Sequence, residues 1–302
     1  MKIFSGSTNK PLAEKIAKDL HISLSPLEIH VFPDGEKRIR IEEDVVDGHV
    51  IIVQSMGHHV DQSYMELFFI LDALKRSGAS QITAVIPYLG YQRQDHVFRS
   101  GEAVSIQVII KILESLKVDR VIVFDLHAIR IKELFSIPVS HLSALPIFAQ
   151  KIEEIGWKRN DVVLVSPDLG GLNRLLRISK MLGGMKTAAL VKNRDLASGN
   201  IEISEVQGEL QKKVIIIDDM ISSGKTITEG AKLLKQKGVE EIIVFVTHPV
   251  FSKEAPQILQ ESPVEKVFVT DTIQVQPHER FEKLEILSVA HLIAEDIKSS
   301  LI

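Results

Sequence analysis

The chain has no cysteine. That absence excludes a disulfide framework and any thiol chemistry. No apolar run approaches the roughly 20 residues that cross a bilayer, so no membrane association is expected. Met1 to Gly6 lacks a charged stretch followed by a long apolar one. No secretory leader is therefore expected, and the cytoplasm is the expected compartment. Lysine and arginine together number 36 against 40 acids, a net charge of −4. With no global basic footprint, nucleic acid is not an expected partner. Low-complexity tracts and long linkers are also missing. What remains is the profile of a soluble globular protein, 302 residues with 45% hydrophobic and 25% charged. That length suggests two domains of about 150 residues each.

The most informative stretch is Val214 to Thr226. Four β-branched apolar residues, Val214 to Ile217, read as a strand buried on both faces. Asp218 and Asp219 follow at its C-terminal end, then the small and hydroxylic residues Ser222, Ser223, Gly224 and Thr226, with Lys225 among them. Ile227 to Lys237 reads as a helix stopped at Gly238. Free N–H groups and the positive end of the helix dipole make such a turn an anion site. The carboxylates suit sugar hydroxyls or a metal, so one loop offers both halves of a sugar-phosphate site. Gly-Lys-Thr also suggests a Walker A loop, but the glycine needed five positions before Gly224 is Asp219. An ordinary turn capped by Ser222 or Ser223 is the plainer alternative. Two adjacent carboxylates repel unless something binds them, which weighs against it.

Elsewhere short apolar strands alternate with amphipathic helices, the pattern of parallel α/β layers. The pattern runs twice. Val50 to Met56 parallels Val214 to Met220, Ala73 to Gly78 parallels Leu233 to Gly238, and Val118 to Asp125 parallels Val264 to Asp271. A doubling at domain scale predicts two similar α/β domains, residues 1–144 and 145–302, joined near Ser143 to Pro146. Only the second copy has the acid pair. The equivalent turn, Gln54 to Gly57, cannot hold a sugar in the same way, so two different ligands are expected.

The loop from Asp218 to Thr226 resembles the ribose-phosphate loop of type I phosphoribosyltransferases. Other segments match a narrower family: Phe32 to Glu36, Pro87 to Asp95, Asp125 to Ala128 and Val165 to Gly171. Together they resemble the ribose-phosphate diphosphokinases, nearly end to end. The resemblance implies two type I phosphoribosyltransferase-like domains, each a mostly parallel sheet flanked by helices, from an internal duplication. It implies transfer of the β,γ-diphosphoryl group of ATP to the anomeric hydroxyl of ribose 5-phosphate, with Mg²⁺ as cofactor. It also implies a homo-oligomer, a dimer or a multiple of dimers.

By the same resemblance Lys192 and Arg194 are catalytic, Lys192 stabilising the transferring group and Arg194 binding phosphate of the pentose. The segment after them is expected to be a mobile loop. Phe32, Asp34, Gly35 and Glu36 would hold adenine, on a loop that relatives supply from a neighbouring subunit. Arg93, Gln94, Asp95 and His127 would bind ATP. Asp218, Asp219 and the loop Ser222, Ser223, Gly224, Lys225 and Thr226 would bind ribose 5-phosphate, and His127 and Asp168 would contact the metal.

Several positions depart from the family pattern. Lys225 replaces a glycine, so its backbone must avoid or tolerate positive φ. Phe98 to Glu102 resembles the archaeal form. Arg130 to Phe135 replaces a segment tied to phosphate and ADP regulation in bacterial relatives. Two rivals stay open at this point. One is a salvage phosphoribosyltransferase, which shares the acid-pair loop but needs a single domain. The other is a non-catalytic regulatory subunit, against which the presence of Lys192, Arg194, His127 and Asp168 counts.

Overall fold

The computed structural model describes residues 1–194 and 201–300, without the side chains of 192–194 and 201–204. The expected mobile loop at 195–200 lies outside the described residues. The chain separates into two compact units.

The first unit begins with β1 (Lys2–Ser5) and α1 (Lys10–Asp19), whose Pro11 sits in the first turn where a missing N–H costs nothing. A hairpin follows, β2 (Leu27–Val31) and β3 (Lys37–Ile41), antiparallel and separate from the main sheet. Next come β4 (His49–Val53), α2 (Val60–Arg76), β5 (Gln81–Val85), α3 (Ser105–Ser115), β6 (Arg120–Phe124) and β7 (Val139–Leu142). The five parallel strands run in the order β1-β4-β5-β6-β7. Residues 50–53 of β4 are all buried, because parallel strands with helices on both faces have no polar side.

The second unit holds α4 (Leu145–Ile155), β8 (Val162–Ser166), α5 (Leu172–Met181), β9 (Thr187–Arg194) and β10 (Ile201–Gln207). It continues through β11 (Lys213–Ile221), α6 (Lys225–Gln236), β12 (Glu241–Pro249), α7 (Ala255–Glu261), β13 (Lys266–Thr270) and β14 (Leu284–Leu287). Its sheet order is β10-β9-β8-β11-β12-β13-β14. Alternate residues of one strand serve opposite cores. Val214 and Ile216 pack with Ile227, Ala231 and Leu234 of α6, whereas Ile215 and Ile217 pack with Phe148, Leu175 and Ile178 of α4 and α5.

Stripped of β9 and β10, the second sheet reads β8-β11-β12-β13-β14, strand for strand the order of the first. The antiparallel pairs β2-β3 and β9-β10 fall at the same place in the two chain orders. One stands apart as a hairpin, and the other extends its sheet.

The expected division at 144 needs a correction. Residues 144–271 and 275–287 form the second unit, but 272–274 and 288–302 belong to the first. The reason is packing and polar pairing. The Ser55 hydroxyl donates to the Thr272 carbonyl, and α8 (Ala290–Ser299) places Asp296 2.6 Å from Arg120. Block 145–302 is therefore not continuous in space.

Candidate active site

The strand bearing the acid pair runs further than its apolar core. β11 continues through Asp218 and Asp219 to Ile221. It stays paired to β12 as far as Pro249, but its pairing to β8 stops at Ile216. Beyond that point, among the described residues, no strand pairs with the β8 side of β11. Arg174, in the first turn of α5, stands there instead, with Nη1 3.3 Å from Asp218 Oδ1 and Nη2 3.6 Å from Asp219 Oδ1. Burial and the neighbouring charge of Asp219 push the Asp218 carboxyl well up, and Arg174 opposes them. The Asp218 side chain keeps 19% of its surface exposed.

The turn after β11 is fixed by the Ser252 N–H donating to the Ser222 carbonyl at 2.9 Å. Gly224 takes the left-handed conformation at φ +75° and starts α6. The departure at Lys225 is thereby accommodated, since the positive φ falls on the glycine before it and Lys225 is the first helical residue. Gly224 is the N-cap and has no side chain to offer, and Ser223 Oγ accepts the Lys225 N–H at 3.4 Å, so the plainer alternative of a serine-capped turn holds in part. The N–H groups of Thr226 and Ile227 lie in the first turn, ahead of the first helical bond, Thr228 N–H to the Gly224 carbonyl at 3.0 Å. An anion is the natural partner of such a terminus.

Asp168 follows β8 and accepts the Gly171 N–H at 3.1 Å through Oδ1, capping a short 3-10 turn, Leu169–Gly171. Lys192 and Arg194 lie on β9, which continues through both, and their side chains are outside the described residues.

In the first unit, Phe32 to Glu36 forms the tip of the β2-β3 hairpin. Phe32 N–H donates to the Glu36 carbonyl at 2.8 Å and Gly35 N–H to the Phe32 carbonyl at 2.9 Å, with Gly35 at φ +93°. Asp34 Oδ1 accepts the Glu36 N–H at 3.1 Å. The tip borders a cavity of about 830 Å³ lined by Val31, Gly35, Glu36, Met65 and Phe69. The hairpin is pinned by Lys37, 2.6 Å from the fully buried Glu66 of α2. Glu66 also accepts the Ser7 N–H, the Ser7 hydroxyl and the Gln54 amide. Burial pushes the Glu66 carboxyl up, but the Lys37 and Ser7 donors outweigh it and hold it below the ordinary range.

Arg93 is exposed, Gln94 half-buried and Asp95 buried. Both Asp95 oxygens are occupied. Arg130 donates to them at 2.7 and 3.0 Å, and His96 Nδ1 lies 2.6 Å away. Arg130's hydrogen bonds, opposed by burial and helped by His96, hold the Asp95 carboxyl at about 2. His127 is exposed, and its N–H donates to Gln92 Oε1 at 2.9 Å.

No group of three or more histidines, aspartates or glutamates converges among the described residues. Mg²⁺ needs no such cage. It takes one or two protein ligands and completes its shell with phosphate oxygens and water. The exposed imidazole of His127 and the half-buried carboxylate of Asp168 fit that demand. Four residues that contribute here escaped the sequence reading: Arg174, Glu66, Lys37 and Gln92. For Arg174 the available signal was its place in the first turn of the helix that follows β8, the strand next to β11.

A buried acid pair at a parallel strand end, followed by a glycine-led helix start, places the chain among α/β proteins of the phosphoribosyltransferase kind. The comparisons are narrower. Residues 1–116 match the model for the N-terminal domain of ribose phosphate pyrophosphokinase, and residues 200–300 match the phosphoribosyl synthetase-associated domain. A ribose-phosphate pyrophosphokinase of Fusobacterium nucleatum is 39% identical over 98% of this chain and 94% of its own. Ribose-phosphate pyrophosphokinase 1 of Streptococcus pyogenes is also 39% identical, over 98% and 93%. The crystal structure of phosphoribosylpyrophosphate synthetase from Mycobacterium smegmatis superposes with a TM-score of 0.92 at 32% identity, covering 99% of this chain and 98% of that one. The chain belongs to the ribose-phosphate pyrophosphokinase family, enzymes that transfer diphosphate from ATP to ribose 5-phosphate.

These relatives are bacterial, and the archaeal form expected from Phe98 to Glu102 has no support. The segment has a local explanation. Glu102 Oε2 accepts the N–H groups of Phe98 and Arg99, each at 2.9 Å, so its residues serve their own turn.

Proposed function

We infer that this chain moves the β,γ-diphosphoryl group of ATP to the anomeric hydroxyl of D-ribose 5-phosphate. The anomeric oxygen attacks the β-phosphorus, and the bond from that phosphorus to the α–β bridging oxygen breaks. AMP leaves with the bridging oxygen, the hydroxyl proton is released, and 5-phospho-α-D-ribose 1-diphosphate forms. The observation that carries this reading is the Asp218–Asp219 pair braced by Arg174 just ahead of the α6 start.

In this reading Asp218 and Asp219 accept hydrogen bonds from the ribose 2- and 3-hydroxyls. The 5-phosphate takes the N–H groups from Ser222 to Thr226. Arg93 and Gln94 take the ATP phosphates, and Phe32, Asp34 and Glu36 take adenine. Lys192 and Arg194 offset charge on the transferring group, which is most of what phosphoryl transfer asks of a protein. His127 and Asp168 would hold Mg²⁺, which when bound neutralises phosphate charge and orients the chain of phosphates. The exposed hairpin tip, with Phe32 at 38% exposure, suits delivery to a second copy in a homo-oligomer. The cytoplasm, where both substrates occur, is the compartment that fits.

The test is AMP formation on mixing the protein with ATP, Mg²⁺ and ribose 5-phosphate. AMP released in step with ribose 5-phosphate consumed supports the reading. Pyrophosphate released only when a nucleobase and phosphoribosyl pyrophosphate are supplied overturns it.

A further inference from the structure

The loop with Arg93, Gln94 and Asp95 and the loop with His127 are joined twice, in opposite directions. Gln92 reaches from the first loop to the second, where its Oε1 accepts the His127 N–H at 2.9 Å. Arg130 reaches back from the 3-10 turn Ile129–Leu134, which begins two residues after His127, and grips Asp95 with Nε and Nη2. His96 closes on the same carboxylate at 2.6 Å.

Neither tie is what folding alone would choose. Gln92 is fully buried, and its Nε2 has no hydrogen-bond partner among the described residues. A buried donor left unpaired is costly, and leucine would fill a similar volume without that cost. The other tie pairs a half-exposed guanidinium with an aspartate side chain only 3% exposed. A fork on two oxygens fixes direction as well as distance.

We propose that Gln92 and Arg130 are positioning residues that lock the ATP-phosphate loop to the His127 loop, with Asp95 as the receptor of Arg130 and not a ligand contact. The proposal rests on the reading above, in which Arg93 and Gln94 meet ATP and His127 meets its metal. It departs from the expectation that Asp95 binds ATP, because the Asp95 side chain is only 3% exposed and its oxygens already accept from Arg130. Transfer in line depends on holding phosphates and metal at fixed spacing, and loops that moved independently would lose that spacing.

The experiment uses the full chain and five variants: Q92L, R130A, R130K, R93A and the double Q92L/R130A. Affinity for Mg²⁺ with α,β-methylene ATP is measured by calorimetry, alongside kcat and both KM values and the thermal midpoint. Q92L and R130A are expected to weaken the analogue and raise the ATP KM roughly tenfold each, leaving the ribose 5-phosphate KM within about twofold. R130K should recover only part of the loss, since an ammonium cannot fork. The double variant should be little worse than the worse single, because both ties serve one placement. Wild-type ATP affinity in Q92L and R130A, with R93A impaired, overturns the lock and leaves the reading standing. Equal losses toward both substrates, in step with a fall in thermal midpoint, also overturn it, since the residues are then merely structural. An R93A that binds the analogue normally removes the reading and the lock together.

Discussion

The ends of β4 and β11 hold the same place in two sheets of matching order, yet they treat charge in opposite ways. At the end of β11 two carboxylates stand together, with Arg174 as their cation and one face still open. At the end of β4 the same positions are Gln54 and Ser55, both buried. There Glu66 arrives from α2 and collects donors from Ser7, Gln54 and Lys37. A Cβ on Gly6 would lie 2.2 Å from Gln54 Oε1, so little room is left. The β4 end is filled by a carboxylate brought from a helix, whereas the β11 end carries its carboxylates on the strand itself and keeps 19% of the Asp218 side chain exposed. The hairpins differ in a parallel way. The β2-β3 tip stands on its own sheet with the proposed adenine readers, and β9-β10, in the corresponding place, carries Lys192 and Arg194.

Substitutions at matching places should separate the two halves. The largest effect is expected from Lys192→Ala, a fall in kcat of about 10²–10³, the usual loss of one well-placed electrostatic group. The matching change at the other tip, Glu36→Ala, should raise the ATP KM about tenfold with a small change in kcat; steady-state kinetics read both. Next, replacing Asp218 and Asp219 together by Asn should weaken ribose 5-phosphate by roughly a hundredfold in calorimetry, given the usual strength of hydrogen bonds to charged groups. Gln54→Ala, at the matching strand end, should leave that affinity within about twofold.

Stability should move the other way. Glu66→Gln leaves Lys37 without its buried partner and should cost about 2–3 kcal/mol in urea unfolding. Asp218→Asn removes a carboxylate whose folded value is raised, and should stabilise by about 1 kcal/mol at neutral pH. Both differences depend on pH, with opposite signs. The folded value of Glu66 is depressed from 4.5, so its contribution is present above that value and lost as the pH falls through the folded value. Asp218 is raised from 3.8, so its penalty is absent in acid and grows as the pH climbs toward the folded value. Unfolding at several pH values should show both differences shrinking on acidification. Persistence of either in acid would assign it to packing.

Much of this was legible in local pattern. The buried strand before Asp218, the helix stop at Gly238 and the turn at Pro33 to Glu36 follow from β-branching, positive φ and turn chemistry within a few residues. The duplication also showed, because matching strands carry matching apolar runs. The remainder depends on contacts far apart in the chain. Arg174 is 44 residues from Asp218, Arg130 is 35 from Asp95, and Glu66 is 59 from Ser7. Apart from the place of Arg174 at the start of the helix after β8, nothing near these residues marks them as partners, since a charged side chain on a helix is ordinarily solvated. The strand continuing past its apolar core was hidden for a related reason. β12 supports β11 through Asp218 and Met220, and that support is visible only once the two strands are side by side.

The return of α8 to the first unit has a consequence for how this protein is made. A ribosome delivers the segments in order, and the second unit's strands through β14 emerge before the helix that completes the first. Until that helix appears, the surface of α1 that it covers stays bare and Arg120 lacks Asp296. The half synthesised first is therefore the half that finishes last. A stalled or clipped nascent chain should expose its α1 face to chaperones while the acid-pair half is already closed.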